Sequence, residues 1–188
     1  CEVIREMRAS GVDLVVLSLH WGFEFEAYPC AKIMALGREL ARAGADIIFG
    51  HHPHVQQPAE VLFFNGYESG LGAPPPEAVL TAPDGRARKS LILYSMGNFS
   101  TAMFTPLIRL GLVQGVEIWR DAEGGGVDWS FAESLWCANF AKHPVTGKRA
   151  LVTIPELEAL VPQLRGQRAK SVHAMLGAAR SAQARTGL

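Results

Sequence analysis

The chain has 188 residues, of which 48% are hydrophobic and 19% are charged, enough for one domain with a substantial core. Its 18 Lys and Arg residues balance its 18 Asp and Glu residues, and no basic run with interleaved aromatic residues is present. Charge and composition therefore exclude the usual signature of nucleic-acid binding. No segment approaches the roughly 20 apolar residues of a membrane span.

The first 50 residues alternate between helical and strand patterns. Residues 2–9 predict the end of a helix, and residues 14–19 form an apolar run that predicts a strand buried on both faces. A second helix is predicted over about 31–43, and residues 46–49 predict a second buried strand. The apolar face of the second helix consists of residues spaced three and four apart, ending before Gly44: Ile33, Leu36, Leu40 and Ala43. This rhythm is typical of an α/β sheet with right-handed crossovers.

The pattern then changes to hairpins. Residues 60–64 predict a strand that ends at the turn signal Asn65-Gly66, and residues 91–95 predict the returning strand. Between them, residues 67–89 are rich in Gly and Pro and predict an inserted surface loop that is poorly ordered or faces a partner. The remaining expected elements are strands over 107–119, 127–136 and 151–154, a glycine-rich turn at 123–126, and a helical tail over about 155–185 with a break near Gly166.

Only two strands are assigned to the α/β part, and two strands do not make a stable sheet with covered faces. The chain also begins at Cys1 rather than at a methionine. We therefore expect it to be the C-terminal portion of a longer protein that supplies more strands.

Histidines follow both predicted parallel strands. His20-Trp21-Gly22 follows the first strand, with Glu24 close behind, and imidazole and carboxylate groups on a rigid support suit a metal. The alternative is a histidine that bonds to backbone at the strand end, with Trp21 in the core. For Glu24, the alternative is a solvated loop carboxylate.

The run Gly50-His51-His52-Pro53-His54 follows the second strand. Three imidazoles on one tight loop repel one another when protonated, which favours a functional use over an exposed polar loop. Gly50 permits the close approach of another backbone or of a ligand. Phosphate or acyl chemistry without a metal would also fit this run. A third block, Ser95-Met96-Gly97-Asn98-Phe99, offers donors to an anion, or forms a bulge or turn.

In order, these blocks resemble the C-terminal half of the CapA family of poly-gamma-glutamate capsule biosynthesis proteins. That family is related to the calcineurin-like metallophosphoesterases. The quoted segments are 15–22, 44–55 and 94–99, each at a strand end, and the resemblance covers about residues 1–120. It implies that residues 1–154 are the C-terminal half of such a domain, with 67–89 as an insertion, followed by a helical tail over 155–188.

The resemblance further implies a four-layer α/β/β/α sandwich with a metal centre at the strand ends. It implies His20, His51 and His54 as metal ligands, with His52 and Glu24 as catalytic residues. Asn98 and Trp21 would contact substrate. Two divalent metals (Mn, Fe or Zn) are expected in the full-length protein, as two-metal catalysis requires. The family's early ligand motifs are absent from this sequence, so the chain alone is expected to be inactive or to bind metal weakly.

Two functional hypotheses follow from the resemblance. The first is a metal-dependent hydrolase that acts on a phosphoester or on a poly-gamma-glutamate-like polymer at the cell envelope, on the outer face of the membrane. The alternative is a non-catalytic accessory subunit of a capsule polymer synthesis or export complex. In that case residues 67–89 and 155–188 would contact capsule synthase subunits. An unrelated α/β metal hydrolase is a third hypothesis.

Overall fold

The computed structural model describes residues 1–67, 79–100, 103, 105–120 and 126–186. Within these ranges the protein has two β-sheets and four α-helices, which confirms the predicted α/β class. The first sheet contains β1 (Val16–His20), β2 (Ile47–His51), β3 (Ala59–Phe64), β4 (Val79–Leu80) and β5 (Arg88–Leu93). The second contains β6 (Leu110–Arg120), β7 (Val127–Phe140) and β8 (Ala150–Thr153). The helices are α1 (Glu2–Ala9), α2 (Ala31–Ala43), α3 (Ile154–Leu160) and α4 (Gly166–Thr186). None of these helices combines the length and the apolar character that a membrane span requires.

The first sheet has the strand order β1-β2-β5-β3-β4. Strands β1, β2 and β5 run parallel, and Ile48 of β2 lies opposite Ile92 of β5. Strand β3 runs antiparallel to β5, as the hairpin pattern predicted. The expectation that only two strands form the α/β part is wrong, because β5 joins β2 as a third parallel strand. The strand itself was predicted over 91–95 as the partner of β3, but its pairing with β2 was not.

Strand β1 is the edge of the described sheet, and this corrects the prediction that it is buried on both faces. Its residues alternate between exposed and half-buried, and 47% of Val16 is exposed. An edge strand has a neighbour on one side only, so its apolar run is less covered than that of a central strand. Strand β2 lies between β1 and β5, and Ile47 and Ile48 are buried as predicted.

Helices α1 and α2 cover one face of the first sheet. Helix α2 has the predicted bounds and ends at Gly44, whose φ is +127°. Its buried face is rotated from the prediction, because Leu36 is exposed and Gly37 is buried instead. A Cβ on Gly37 would lie 3.2–3.4 Å from the side chains of Tyr94, Trp21 and Ile92. The helix therefore packs closely on β5 and on the residues that follow β1 and β5.

The second sheet lies between the first sheet and the remaining helices. Trp129 of β7 packs with Ile47, Leu91 and Leu93 of the first sheet. The opposite face of β6 and β7 packs on α3 and α4 through a larger core. The buried residues of that core include Leu112, Trp136, Leu157, Met175 and Leu176. The tail predicted over 155–185 is confirmed as helical, with its break before Gly166, and it covers a sheet face.

Part of the predicted insertion lies within the described ranges. Asn65 and Gly66 both have positive φ, +54° and +72°, and the Tyr67 amide donates to the Phe64 carbonyl at 3.1 Å. This is the turn geometry that the Asn-Gly pair predicted. Within 67–89, Tyr67 is buried, β4 pairs with β3, and Arg88 and Lys89 belong to β5, so the segment is not a surface loop throughout. Residues 68–78, and residues 123–125 of the predicted glycine-rich turn, lie outside the described ranges.

The helical conformation of residues in α4 can be tested with a single substitution. Gly177 lies in this helix, is exposed, and a Cβ placed on it would have no neighbour within 4 Å. Gly177→Ala should therefore raise the free energy of unfolding by about 0.5–1 kcal/mol, because alanine loses less backbone entropy in a helix. Urea denaturation measures this change. A decrease in stability would show that residue 177 is not helical in solution.

Candidate metal centre

The histidines occupy the carboxyl ends of two neighbouring parallel strands. His20 ends β1 and lies in register with His51 at the end of β2. The Trp21 amide then donates to the His51 carbonyl at 3.0 Å, so the segments that follow β1 and β2 leave the sheet side by side. Ligand sites of parallel α/β sheets lie outside this end of the strands. The sheet therefore places both histidine blocks at one edge, as the sequence predicted.

The loop after β2 has a strained backbone. His52 and His54 have φ values of +102° and +61°, and Phe25 in the facing loop has a φ of +66°. Side chains with a Cβ rarely adopt this region. The Phe25 amide donates to the Pro53 carbonyl at 2.7 Å, which ties the two loops together. Strained residues of this kind cluster at functional sites, where the surrounding structure holds them in place.

The strained loops bring three ligand-type side chains together. One ligand atom each from Glu24, His52 and His54 lies within 4.8 Å of the other two. His54 Nε2 and Glu24 Oε1 are 3.8 Å apart. The ring of His20 lies beside the cluster, with its centroid 4.5 Å from that of His52. The structure thus brings His20, Glu24, His52 and His54 to one place.

Asn98 orients the His54 ring through a hydrogen bond to its Nδ1 atom. The Asn98 amide nitrogen donates to the carbonyls of Ile108, at 2.6 Å, and of His54, at 3.2 Å. These bonds fix the orientation of the amide and leave its oxygen 2.8 Å from His54 Nδ1. Nδ1 must then carry the hydrogen, so the lone pair of neutral His54 is on Nε2, which faces Glu24. An outer hydrogen bond of this kind is typical of metal-binding histidines. The assignment of Asn98 to substrate contact stays a prediction.

His51 lies apart from the three-residue cluster. Its side chain borders a mostly apolar cleft of about 430 Å³ between the two sheets, together with Ser18, Phe49 and Phe99. Burial, and the neighbouring His20, hold the pKa of His51 below its usual value. The neutral imidazole is therefore favoured, which keeps a lone pair for a ligand. The assignment of His20, His51 and His54 as one ligand set stays a prediction.

The pKa of His51 can be tested in the metal-free protein. Histidine ring resonances followed by NMR should give His51 a pKa below that of a free histidine. His20→Ala should raise this pKa only partly, because burial is the larger cause. Since the pKa is lower in the folded than in the unfolded state, the stability that neutral His51 contributes is lost as the pH falls through the folded-state pKa. An unshifted pKa in both proteins would contradict this environment.

Trp21 is a core residue in this structure. It is buried, its indole nitrogen donates to the Tyr94 carbonyl at 2.9 Å, and its ring stacks on Tyr94. Its one polar group is therefore already bonded. Its assignment to substrate contact stays a prediction.

Sequence reasoning did not identify Phe25, whose ring centroid is 6.0 Å from that of His54, and nothing in the sequence signals its positive φ.

Two imidazole nitrogens and one carboxylate oxygen are a suitable donor set for Zn²⁺, Mn²⁺ or Fe²⁺. Three protein ligands also leave coordination positions open, as in catalytic rather than structural sites. Across the part of the chain that the structure describes, this is the one group of three or more potential ligands. The described residues thus fit one divalent ion.

Comparison with protein families gives a match to the bacterial capsule synthesis protein PGA_cap over residues 2–103. The chain belongs to this family. Among curated proteins it is similar to the capsule biosynthesis protein CapA of Bacillus anthracis, with 35% identity over 95 residues, or 50% of this chain and 17% of that protein. It is 38% identical over 87 residues to the PGA biosynthesis protein CapA of Bacillus subtilis (strain 168), covering 46% of this chain and 16% of that protein. No solved structure matches the chain.

The resemblance predicted from the sequence is therefore confirmed. The PGA_cap match includes the whole histidine edge, from His20 through His54 to Asn98. The region from residue 104 onward, with the second sheet and helices α3 and α4, lies beyond the matched residues. The chain spans about one sixth of the length of the curated relatives described here, 17% and 16%.

Proposed function

We propose that this PGA_cap chain carries the metal-binding edge of a metal-dependent hydrolase domain that acts in capsule polymer synthesis. The observation that carries the proposal is the cluster of Glu24, His52 and His54 on strained loops at the ends of parallel strands. A bound divalent ion would supply a Lewis acid and lower the pKa of a bound water. The substrate class is a phosphoester, or an amide of a γ-linked glutamate polymer.

The residues around the cluster have separate proposed roles. Glu24, His52 and His54 hold the ion, and Asn98 fixes the tautomer of His54. His20 is the candidate for proton transfer, because its ring lies beside His52 but outside the ligand set. Gln57 donates to the Glu26 carbonyl at 2.9 Å and so holds the Glu24 loop over the strand ends.

The three packed cores support the four-layer α/β/β/α arrangement that belongs to this proposal. One core lies between α1, α2 and the first sheet, one between the sheets, and one between the second sheet and α3, α4. A sheet covered on both faces provides the rigid support that a metal site needs. A second ion would need further ligands from other parts of the full-length protein.

The test compares two carboxylates of the same loop. Hydrolysis of bis(p-nitrophenyl) phosphate and of a γ-linked glutamate oligomer is measured on this chain and on the longest polypeptide that its gene encodes. Activity should disappear after chelation and return with Mn²⁺, Fe²⁺ or Zn²⁺. Glu24→Gln should lower it at least about 100-fold, as expected for a lost ligand, and Glu26→Gln should leave it unchanged. Activity that survives chelation, or equal losses in the two variants, would overturn the proposal.

The alternative is a non-catalytic subunit of a capsule synthesis or export complex. It is favoured by the exposed aromatic side chains beside the histidine edge, Phe23, Tyr28 and Phe99, of which 60–64% is solvent-accessible. Capsule production by cells that carry Glu24→Gln separates the two functions. The hydrolase requires that capsule production change, whereas an accessory subunit requires that it continue.

A further inference from the structure

A pocket lined by several cationic side chains lies outside the family-matched residues. It is formed by the segment after β7 and the first turns of α4, and it has a volume of about 370 Å³. Its lining includes Arg109, Lys142, His143, Arg168 and Ser171. His143 was not assigned a function from the sequence, because it stands alone there. In the structure it is half-buried and lies among three cationic side chains.

The pocket is positively charged. No Asp or Glu is among the described residues that line it, and the sequence contains no acidic residue after Glu158. Burial lowers the pKa of the Arg109 guanidinium, and no carboxylate offsets this effect. Arg88 is a useful contrast, since it is more deeply buried than the half-buried Arg109 and pairs with Asp84 at 3.1 Å. A cation that is partly buried without a counter-ion is stabilised by an anion that enters from solution.

The cationic groups of the pocket are held in place by neutral contacts. Arg109 Nε donates to the Asn139 carbonyl at 2.8 Å, and its guanidinium lies over the Phe140 ring. Arg168 Nη1 donates to the Pro144 carbonyl at 3.0 Å. Each guanidinium therefore keeps further N–H groups for a ligand. Because these side chains are already positioned, a ligand loses less entropy on binding.

The segment after β7 also orients His143. Its Nδ1 accepts from the amides of Val145 and Thr146, at 3.3 and 3.2 Å. The hydrogen of the neutral ring must then be on Nε2, which makes that atom a donor. The His143 amide donates to the Lys148 carbonyl at 2.7 Å, which closes the turn. The pocket thus presents donors from two arginines, a lysine and a histidine.

A short series of hydrogen bonds connects the pocket to the histidine edge. Asn139, whose carbonyl accepts from Arg109, donates through its side chain to the Asn98 carbonyl at 2.7 Å. Asn98 in turn bonds to His54. The pocket and the candidate metal centre are therefore connected by three consecutive hydrogen bonds.

We propose that the pocket formed by Arg109, Lys142, His143 and Arg168 binds an oxyanion, a carboxylate or a phosphate group, as a site separate from the Glu24, His52 and His54 cluster. Fork-shaped guanidinium groups match the geometry of both oxyanions, and the absence of lining carboxylates removes competition for them. The oxyanion site depends only on its own lining. The choice of a γ-linked glutamate oligomer as one probe rests on the proposed function.

The test uses the whole chain in metal-free, low-salt buffer, so that its result does not depend on the histidine cluster. Isothermal titration with inorganic phosphate and with a γ-linked glutamate hexamer measures the two sources of oxyanion separately. Arg168→Gln and Lys142→Gln should each weaken binding at least about 10-fold, as expected for a lost charged hydrogen bond. The matched control is Arg180→Gln on the same helix, which removes the same charge from an exposed ion pair with Glu158.

The site is supported if either probe binds, if both lining variants weaken that binding, and if Arg180→Gln changes it less than about 2-fold. The probe with the higher affinity identifies the source of the oxyanion. Absence of binding by both probes, or equal weakening by Arg180→Gln, overturns it. Thermal unfolding of each variant accompanies the titrations, and both lining positions are exposed, so the variants should fold.

Discussion

Gly50→Ala should lower the free energy of unfolding by about 3–5 kcal/mol, a large loss of stability for the addition of a single methyl group. A Cβ at this position would overlap the Tyr94 carbonyl oxygen and would lie 2.5 Å from Trp21 Nε1. These two atoms form a hydrogen bond that joins the loop after β1 to the end of β5. Neither can move easily, because the Tyr94 carbonyl is backbone and the Trp21 ring is packed against α2.

Urea denaturation followed by tryptophan fluorescence measures this loss. Gly177→Ala is the matched control, because it adds the same methyl group where nothing lies within 4 Å, and its effect should have the opposite sign. A loss of less than about 1 kcal/mol for Gly50→Ala would contradict the close packing of β2 on Tyr94.

His52→Gly should separate metal binding from folding. Removing a ligand should weaken the binding of Zn²⁺ or Mn²⁺ at least about 100-fold. Glycine adopts the φ of +102° at this position without a steric cost, so stability should stay the same or rise by about 1 kcal/mol. Metal titration and thermal unfolding of the same protein sample measure both quantities.

His173→Ala is the control for this variant. His173 is exposed on α4, where its Nδ1 lies 2.8 Å from the Ala169 carbonyl, and its loss should not change metal affinity. Equal metal affinity of His52→Gly and the unchanged protein would exclude His52 from the ligand set. Unfolding of His52→Gly would instead contradict the strain assigned to the loop.

The fold was predictable from sequence where its signals are local. The bounds of α1 and α2, the turn at Asn65-Gly66 and the break before α4 all follow from capping, periodicity and turn chemistry. Strand β5 was predicted as the partner of β3, but its parallel pairing with β2 was missed, because about 40 residues of chain separate the two strands and no local pattern encodes that pairing. The exposure of β1 and of Leu36 depends on which neighbours cover them, which is also non-local.

The two histidine blocks lie at the ends of neighbouring strands, and their use as a metal site stays a prediction. The geometry favours a ligand set other than His20, His51 and His54. The family resemblance favoured His51 and His54. Strand β2 continues through His51, so its side chain points to the same face as Phe49, beside the cleft between the sheets. The positive φ values begin at His52, and they turn the chain so that His52 and His54 meet Glu24. Backbone strain of this kind has no signature in a His-His-Pro-His run.

The most direct test of the metal centre is an anomalous diffraction map of crystals of this chain grown with Zn²⁺. The expected result is one peak at about 2.0–2.2 Å from a nitrogen of His52, a nitrogen of His54 and an oxygen of Glu24. A peak held by His20 and His51 without Glu24, or no peak at the histidine edge at saturating Zn²⁺, would contradict it.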